Sequence, residues 1–546
     1  MLFFSPPPIY AISDPLSVPN NKYGIHVAEL TDLKDAANLV NANGGDWGHV
    51  TLVIQDGDRN VGKWQEVFNS MRRLHLIPII RLATHPEGDV WKIPQKEDAG
   101  RWADFLNTLL WPTANRYVVL FNEPNHSKEW GRSINPEEYA DVALEYANKL
   151  KEKSPDFFLL PAGFDMSASS DGEALEASEF VRRMYQAKPE FFSVIDGWTS
   201  HSYPNPGFSS SPYATGKGTI ASFQWELQFL QSIGITKNLP VFITETGWLT
   251  RAMGNNLVLA ASGIWTDPRI VAITPFLLNY QGYPFDTFSW KKLNSQEFYP
   301  HYELYQKLIK IKGEPNQHES FAFSKSFFPD QLVTNSTYSL EGELVNTGQG
   351  ILDPDDGYTV QVEGATKDLS YFSEPLPKLE PSEKRGVKLH IKTPLVEGDW
   401  KVALSLVHAQ KNIIVEEKKI QLIPPPSITI NTRLGWKKIH TADHVLVLVY
   451  DQQDTLLHKF QDLKIENGSV TITGLYNMIP GNKYRVVIIA PYYLPRQHII
   501  TFKEGKMTVT LKRLLPFDFN KDGTLNPLDM PALLFTKPNE VFTRFF

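Results

Sequence analysis

The sequence contains no cysteine, and this absence removes several kinds of chemistry at once. Without thiols the chain cannot form disulfides, bind a metal through thiolates or use a cysteine nucleophile. Zero cysteine does not indicate the cytosol, because a large domain can be exported without disulfides. The chain also lacks a basic excess: 54 Lys and Arg stand against 61 Asp and Glu, for a net charge of −7. Nucleic-acid binding needs a basic face, so nucleic acid is not a predicted partner.

Three sequence patterns are missing as well. No stretch approaches the roughly 18 consecutive apolar residues that cross a bilayer, so we predict no membrane span. Within the predicted barrel, His26, His49, His75 and His85 do not have the H-E-x-x-H spacing of a helical zinc site. The turn after the first predicted strand, residues 28–32, has no glycine, whereas a doubly wound nucleotide-binding sheet usually carries a Gly-rich phosphate turn there. A helical zinc site and a dinucleotide site are therefore not predicted.

The first 22 residues are apolar and rich in proline, and Lys22 is the first basic residue. A complete signal peptide has a charged start and a longer apolar run. Residues 1–22 are therefore either a signal-peptide remnant that ends near Ala11 or a disordered terminus. The first alternative predicts an exported protein, extracellular or on the cell surface.

Residues 23–312 alternate short apolar segments with segments of helical period. Trp64, Val67, Phe68 and Met71 show that period, because they are spaced three and four apart. Strand–helix alternation repeated eight times predicts an α/β fold, the (β/α)₈ TIM barrel, with an open doubly wound sheet as the structural alternative. The predicted strands are 23–29, 49–55, 77–83, 117–125, 157–164, 197–204, 240–248 and 271–279.

Two carboxylates stand where predicted strands leave the barrel. Glu123 ends the fourth strand in the run F-N-E-P-N, and Glu245 ends the seventh in I-T-E-T-G-W. Active sites of such barrels form at the carboxyl ends of the strands, so the fold would bring the two acids together. Paired carboxyls suit glycosidic bond cleavage, since one protonates the leaving oxygen while the other attacks the anomeric carbon. A separation of about 5–5.5 Å gives retention of configuration, and a wider one gives inversion.

The two motifs, N-E-P at the fourth strand end and T-E-T-G-W at the seventh, resemble the clan A glycoside hydrolases, a superfamily of retaining (β/α)₈ enzymes. The likeness covers about residues 23–310. It implies that Glu123 is the acid/base, that Glu245 is the nucleophile and that Asn122 holds the substrate 2-hydroxyl. It also implies that catalysis needs no cofactor. Arg81 ends the third strand, where its positive charge could hold the nucleophile ionised.

Other strand ends supply candidate substrate contacts. His201 and Tyr203 end the sixth predicted strand, where the superfamily often has a His or Tyr that contacts the nucleophile or the substrate. Sugar rings present C–H faces that pack on aromatic planes. Trp248, three residues past the nucleophile, and Tyr280, beyond the eighth strand, are therefore predicted to bind substrate. Asn279 and Tyr280 stand where the superfamily usually has a tryptophan.

The helical period stops near residue 312, and residues 313–324 read as a polar linker. Residues 325–423 and 427–513 then alternate apolar and polar side chains between turn residues, which predicts two all-β sandwich modules. The first, with V-N-T-G, resembles immunoglobulin-like modules of bacterial surface proteins. The second, with I-P-G-N-K-Y, resembles carboxypeptidase-regulatory-like, transthyretin-type modules. Both are interpreted as spacers, with carbohydrate binding as the alternative.

The tail, residues 514–546, carries oxygen ligands at positions 1, 3, 5, 7, 9 and 12 of a calcium loop, with Gly523 at position 6. Asp at position 12, where an EF-hand has Glu, resembles a dockerin loop, and residues 530–535 would be its helix. Family dockerins carry two such loops and this chain shows one. The loop predicts Ca²⁺ binding and, through the resemblance, a cohesin-type or cell-surface partner. The candidate ligands are Asp518, Asn520, Asp522, Thr524, Asn526 and Asp529.

Together the patterns predict an exported glycosidase that hydrolyses O-glycosyl bonds of β-glycans by double displacement. Two other functions remain open. A non-catalytic glycan-binding surface or adhesion protein could use the barrel as a scaffold, although intact acids at both strand ends count against it. A transglycosylase would use the same residues with a sugar as acceptor.

Overall fold

The computed structural model describes residues 12–249, 253–364, 370–372 and 375–534. The chain divides into two compact units, Met1–Glu319 and Ser320–Phe546, and the boundary falls inside the predicted linker. The predicted signal-peptide remnant up to Ala11 and the tail beyond residue 534 lie outside the described residues.

In the first unit, a strand lies at each of the eight predicted positions. The third, with the sequence LIPIIRLA, is buried on both faces over most of its length, as expected of a parallel strand covered by helices. The first strand and strands four to eight end three to six residues earlier than predicted. The strands are β1 (Gly24–His26), β2 (Gly48–Gln55), β3 (Leu76–Ala83), β4 (Arg116–Leu120), β5 (Phe157–Pro161), β6 (Trp198–His201), β7 (Val241–Glu245) and β8 (Ile270–Ile273).

All neighbouring strands pair in parallel, in one sheet ordered β1-β2-β3-β4-β5 and another ordered β8-β7-β6. The order follows the chain without the reversal that defines a doubly wound sheet, so that alternative does not fit. A parallel bridge joins Tyr23 to Ile273, next to β1 and β8. Before β6, the Asp196 N–H donates to the carbonyl oxygen of Leu159 on β5 at 2.8 Å. Hydrogen bonds therefore link the two sheets at both edges.

Helices follow the strands and pack on them through one apolar face. In α2, Asn60 caps the first turn by accepting the Lys63 N–H, while Trp64 and Met71 are buried on the inner face. Capping and one-sided burial together explain why this segment is helical. The helices are α1 (Leu33–Val40), α2 (Val61–Arg73), α3 (Ala99–Thr108), α4 (Pro136–Lys153), α5 (Ala177–Ala187), α6 (Pro189–Val194), α7 (Ser222–Ser232), α8 (Met253–Ser262) and α9 (Pro300–Gln306).

Residues 12–22 correct the prediction of a disordered terminus. Asn20 donates its side-chain N–H to the carbonyl oxygen of Val271 at 2.7 Å, and Asn21 donates to that of Val40 at 3.0 Å. Asn21 is buried. Side-chain amides pair here with the carbonyls of the buried residues Val271 and Val40, so this Pro-rich stretch is part of the folded unit.

The second unit is all-β over almost its whole described length. Its strands are β9 (Phe321–Phe323), β10 (Gln331–Val333), β11 (Thr337–Asn346), β12 (Thr359–Glu363), β13 (Ser370–Phe372), β14 (Lys384–Lys392), β15 (Gly398–His408), β16 (Lys411–Ile423), β17 (Ser427–Asn431), β18 (Ala442–Tyr450), β19 (Leu456–Ile465), β20 (Ser469–Ile472), β21 (Lys483–Ile489), β22 (Arg496–Thr501) and β23 (Lys506–Thr510). A short helix, α10 (Asp529–Leu534), follows them.

These strands form four sheets, two on each side of the predicted module boundary. Sheets β9-β11-β14-β13 and β10-β16-β15-β12 share one apolar core, around Leu340, Leu389 and Trp400. Sheets β20-β17-β23 and β19-β18-β21-β22 share another, around Val447 and Val486. Two packed sheets per core is the architecture predicted from the alternating pattern. Within the described residues, no helix has both the length and the apolar character needed to cross a membrane.

Candidate active site

Glu245 is the last residue of β7, and its carboxylate is held from two sides. Arg81, on β3, donates from Nη1 to Oε1 of Glu245 at 2.5 Å. Tyr203, just after β6, donates its hydroxyl to Oε2 at 3.0 Å. Only 8% of Glu245 is exposed, so these bonds replace water around the carboxylate. Residues from three different strands thus meet at one carboxylate. They lie far apart in the sequence, and the fold brings them into contact.

The electrostatics of Glu245 keep it ionised. Burial by itself raises the pKa of a carboxyl group. Here the positive charges of His201 and Arg81 outweigh that burial and lower the pKa of Glu245 to about 2. The hydrogen bond from Tyr203 acts in the same direction. Glu245 is therefore a carboxylate across the whole ordinary pH range, as a nucleophile must be.

Glu123 lies on a sharply bent loop rather than on a strand. Strand β4 ends at Leu120, and both Phe121 (φ 75°) and Glu123 (φ 30°) have left-handed backbone angles. Such angles cost on the order of 1–3 kcal/mol per residue and are concentrated at functional sites. The Glu123 N–H donates to the carbonyl oxygen of Gly163 at 3.0 Å, which fixes the loop against the end of β5. The bend turns the Glu123 side chain into the site.

His201 connects the two acids. Its Nδ1 lies 2.7 Å from Oε1 of Glu123 and 3.8 Å from Oε2 of Glu245. Burial opposes the charged imidazolium, but the two carboxyl groups outweigh it and raise the pKa of His201. Gly163 makes this position possible, since a Cβ there would lie 2.2 Å from the imidazole ring. The ring fits only against a residue without a side chain.

Asn122 also belongs to this cluster. Its Oδ1 accepts from Nη1 of Arg81 at 2.6 Å, so the amide nitrogen is left to face other groups. Arg81 therefore contacts the nucleophile candidate and the residue beside the acid candidate. The structure brings together all four of the predicted residues Asn122, Arg81, His201 and Tyr203 around the two glutamates.

The acids open into a cavity of about 370 Å³, a size typical of small-ligand sites. Its described walls are unusually rich in aromatic rings. Phe276, Phe285 and Phe288 form an edge-to-face cluster with centroid distances of 5.4 and 5.9 Å from Phe276. Rings of this kind suit the C–H faces of a sugar or an apolar aglycone. The aromatic lining comprises Trp91, Phe121, Phe208, Phe276, Phe285 and Phe288, with Trp130 beside them.

Two predicted substrate contacts do not fit this cavity. Trp248 is fully buried, packs against Trp265 and donates its indole N–H to the Ser210 carbonyl oxygen at 2.8 Å. Tyr280 packs on the far face of Phe285, and neither it nor Trp248 is among the described residues of the cavity wall. The reason is the early end of β8 at Ile273, which places Phe276 rather than Tyr280 just beyond that strand.

Sequence reasoning missed Glu129, a further acid in the cavity wall. It ends a short 3-10 turn, Ser127–Glu129, six residues after Glu123. Burial, followed by the charge of Glu123, raises the pKa of Glu129 to about 7. An acid this close to a strand end was a detectable signal, because loops that leave barrel strands form the site. The phenylalanines of the loop after β8 carried no comparable signal, because the turn of the loop decides which side chains point into the cavity.

The glutamates and His201 could in geometry hold a metal, because one ligand atom of each lies within 4.8 Å of the others. Arg81 argues against that use. Its guanidinium already lies 2.5 Å from Glu245 and supplies the positive charge that a cation would bring. Two cations in such close quarters repel each other. The arrangement fits acid–base chemistry better.

The tail loop folds around two aspartates, Asp518 and Asp529. Asp529 accepts the N–H of Phe519 on Oδ1 and that of Asn526 on Oδ2, each at 2.9 Å. Asp518 is 4% exposed, and within the described part of the chain its Oδ1 has no hydrogen-bond partner. Burial, together with the charge of Asp529, raises the pKa of Asp518. The other candidate side chains hydrogen-bond to one another: the Asn520 amide and the Thr524 hydroxyl donate to Asp522, and the Asn526 amide donates to Thr524.

No family model and no curated protein sequence matches this chain. Among solved structures it is similar to a family 39 glycoside hydrolase from Bacteroides cellulosilyticus WH2, with 11% identity and a TM-score of 0.39 over 88% of this chain and 83% of that one. It is also similar to a β-mannanase from Thermomonospora fusca, with 14% identity and a TM-score of 0.36 over 53% and 89%.

A third similar structure is an endo-β-1,4-glucanase from Xanthomonas axonopodis pv. citri, with 11% identity and a TM-score of 0.36 over 53% of this chain and 99% of that one. At identities and TM-scores this low, we base function on the geometry of the site and not on these likenesses.

Proposed function

We propose that the first unit is a retaining glycoside hydrolase of the clan A type. The observation that carries the proposal is the pairing of Glu123 with Glu245, one oxygen of each lying within 4.8 Å of the other. Retaining enzymes keep their two carboxyls about 5–5.5 Å apart, whereas inverting enzymes hold them about 6.5–9.5 Å apart, which leaves room for a water molecule between the base and the sugar. The close approach favours direct attack by a carboxylate.

In the proposed reaction, Glu245 attacks the anomeric carbon while Glu123 protonates the departing oxygen. The bond from the anomeric carbon to that oxygen breaks as the bond to Glu245 forms, which gives a covalent glycosyl intermediate. Glu123, now ionised, takes a proton from water, and the resulting oxygen displaces Glu245. Arg81 and Tyr203 hold the nucleophile in place through their bonds to its two oxygens.

We propose that the scaffold for this site is a single closed (β/α)₈ barrel. The bridge between Tyr23 and Ile273 and the bond from Asp196 to Leu159 support closure at the two edges of the sheets. All the polar site residues lie at or just beyond the carboxyl ends of strands, where barrel enzymes form their sites. The substrate class we propose is a β-linked poly- or oligosaccharide.

The test is hydrolysis of a panel of β-glycans and aryl β-glycosides by the wild type, Glu123→Ala and Glu245→Ala. Glu190→Ala, which removes an exposed carboxylate on α6, is the matched control and should behave as wild type. We expect azide to restore Glu245→Ala and to give a glycosyl azide of inverted configuration, because azide occupies the place of the missing carboxylate.

Undiminished cleavage by Glu245→Ala would contradict the proposal. If the wild type cleaves nothing but binds glycans, and neither glutamate substitution changes the binding, the scaffold is a glycan-binding module. Product mixtures that contain longer sugars would show transfer to a sugar acceptor in place of water.

We also propose that the tail loop binds Ca²⁺. The unpartnered buried oxygen of Asp518 supports this, because a carboxylate oxygen left dry without a partner is unfavourable until a cation reaches it. Asp529 would need to exchange backbone N–H bonds for the cation. Calorimetric titration of the full chain with CaCl₂ tests the site: Asp518→Ala should abolish the binding, and the exposed control Asp462→Ala should not.

We also propose that the protein is exported and that its tail contacts a cohesin-type or cell-surface partner. Fractionation of cells that produce the full chain tests export. Pull-down of the purified chain with immobilised cohesin, with and without Ca²⁺, tests the partner, and binding that ignores Asp518→Ala would contradict it.

A further inference from the structure

Apart from the two catalytic candidates, the described wall of the cavity has two sides of different character. The loops after β3, β4 and β5 bring polar side chains to it, whereas the loops after β6 and β8 bring phenylalanines, with Asn205 as the polar exception. The polar side chains are Thr84, Lys92, Glu129, Asp165 and Ser167. The phenylalanines, which we call the apolar wall, are Phe208, Phe276, Phe285 and Phe288.

The rings of the apolar wall form one continuous series. Phe208 packs edge-to-face on Phe288 at a centroid distance of 5.0 Å, and Phe288 packs in the same way on Phe276 at 5.9 Å. Phe276 packs on Phe285 at 5.4 Å, again edge-to-face. Each ring therefore holds the orientation of the next, and the apolar wall is a preformed surface.

The apolar wall begins beside the nucleophile candidate and ends at solvent. Tyr203, whose hydroxyl donates to Oε2 of Glu245, packs edge-to-face on Phe208 at 5.0 Å. At the far end of the series, Phe285 is 41% exposed. The anomeric carbon of a substrate has to lie beside Glu245. A group that covers the apolar wall is therefore close to the bond that is cleaved.

The phenylalanine side chain has no polar atom, which restricts the groups that can cover this wall. A sugar ring has C–H faces, but hydroxyl groups surround its edge. Against four phenylalanines in series these hydroxyls would lose water and gain no hydrogen-bond partner, which is unfavourable. On the polar side, Phe121 and Trp130 are at most 5% exposed, which leaves Trp91 for the stacking of a sugar ring. The sugar thus fits the polar side, and an apolar group fits the apolar wall.

We propose that the apolar wall binds the leaving group of the substrate, and that this group is an aryl or alkyl aglycone. The proposal rests on the glycosidase function proposed above. It narrows the substrate from β-linked poly- and oligosaccharides in general to a short sugar chain joined to an apolar aglycone. The cavity of about 370 Å³ lies near the small end of the range for ligand sites, which agrees with a short substrate. Glu123 protonates the oxygen of the cleaved bond, and the aglycone leaves as an alcohol or a phenol.

The experiment compares the methyl and hexyl β-glycosides of the sugar that the wild type cleaves, because these two alcohols are similar leaving groups that differ in apolar length. We expect kcat/KM to be at least about tenfold higher for the hexyl glycoside, since each methylene that the wall covers contributes about fourfold. Phe285→Ala should lower this hexyl-to-methyl ratio about fivefold. Phe285→Leu keeps an apolar side chain and should retain most of the ratio. The control Phe229→Ala, which removes a ring stacked on Trp225 in α7, should leave the ratio unchanged.

Equal values of kcat/KM for the methyl and hexyl glycosides would overturn the proposal and leave the glycosidase function intact. A ratio that Phe285→Ala does not lower would also overturn it. If Phe285→Leu loses as much of the ratio as Phe285→Ala, the site requires an aromatic plane, as for a stacked sugar, and the aglycone is not what the wall binds.

A second measurement needs no cleavage: calorimetric titration of the full chain with the methyl and hexyl 1-thio-β-glycosides of glucose, mannose and xylose. We expect tighter binding of a hexyl compound, a difference that Phe285→Ala loses and Phe229→Ala keeps. Equal binding of the methyl and hexyl compounds would overturn the proposal. A protein that cleaves no glycoside refutes the proposed function, while this titration still decides whether the apolar wall binds an apolar aglycone.

Discussion

The two glutamates of the site lie close together, yet their backbone conformations and their hydrogen-bond partners differ. Glu245 ends a regular strand, is 8% exposed and is bonded to Arg81 and Tyr203. Glu123 lies three residues past its strand on a left-handed backbone and is bonded to His201, with a second acid, Glu129, nearby.

The difference shows how environment assigns roles. Cations and hydrogen-bond donors around Glu245 stabilise its charge, whereas Glu123 contacts His201 and shares the cavity wall with a further acid, Glu129. A glycosidase needs one acid of each kind at the same pH. The predictions below break this asymmetry in turn, beginning with the largest effect.

Removal of the ionised member should be the most damaging change. Glu245→Ala takes away the proposed nucleophile, and we expect kcat to fall roughly 10⁵-fold on every substrate, as for other nucleophile deletions. The loss should not depend on the leaving group. Steady-state rates on aryl β-glycosides that span leaving-group pKa values check this, and a leaving-group-dependent loss would reverse the assignment of the two acids.

Removal of Glu123, the proposed acid, should cost less activity, and the loss should depend on the substrate. For Glu123→Ala we expect about a 10³-fold loss on natural β-glycans, which need a proton on the departing oxygen. On 2,4-dinitrophenyl glycosides, whose leaving group needs no proton, the bond-breaking step should be nearly unaffected. Pre-steady-state bursts on the two substrate types measure this. An equal loss on both would mean that Glu123 is not the acid.

Removal of the cation beside Glu245 should make the Glu245 carboxylate easier to protonate. Arg81 helps lower the pKa of Glu245, so Arg81→Met should raise that pKa. Activity needs the ionised form, so the acid limb of the pH–rate profile should move to higher pH, by about one to two units. Arg183→Met, which breaks a surface ion pair with Glu137, is the matched control. An unmoved acid limb would show that Arg81 does not set the charge of Glu245.

Substitution of aromatic residues should give the smallest effects. These substitutions distinguish residues of the cavity wall, which should affect KM, from residues of the hydrophobic core, which should affect stability. Phe285 lines the cavity and is 41% exposed, so Phe285→Ala should raise KM about five- to tenfold through lost ring contacts. Trp248→Phe should leave KM unchanged and instead lower the unfolding free energy by about 1–3 kcal/mol, because an indole bond and buried volume are lost. A raised KM for Trp248→Phe would restore its predicted role in the cavity.

The sequence was informative about whatever repeats or is local. Strand–helix alternation located all eight parallel strands of the first unit. The two glutamates could be found because strand ends in a barrel converge. The hydrogen bonds of Glu245 to Arg81 and Tyr203 agree with the predicted contacts, and the Asn122 amide oxygen bonds to Arg81. The roles of these residues in catalysis stay predictions.

The sequence could not predict which side chains of a loop point into the cavity. Trp248 follows the end of β7 as closely as Phe276 follows the end of β8, and Tyr280 comes later in the same loop as Phe276, yet of the three only Phe276 lines the cavity. The choice depends on how each loop turns, and that depends on contacts such as the bond between Trp248 and Ser210. Glu129 was missed for a different reason: its significance depends on burial next to Glu123, which a linear sequence does not display.

The close approach of Gly163 and His201 has a consequence on the timescale of evolution. Any side chain at position 163 would collide with the imidazole, so the glycine can drift only after the histidine has changed. Loss of the histidine would in turn strip one charge from beside both acids. Homologues that keep the histidine should therefore keep the glycine, while those with another residue at 201 are released at 163. The residues at positions 163 and 201 of a homologue together therefore indicate whether it keeps a histidine between the two acids.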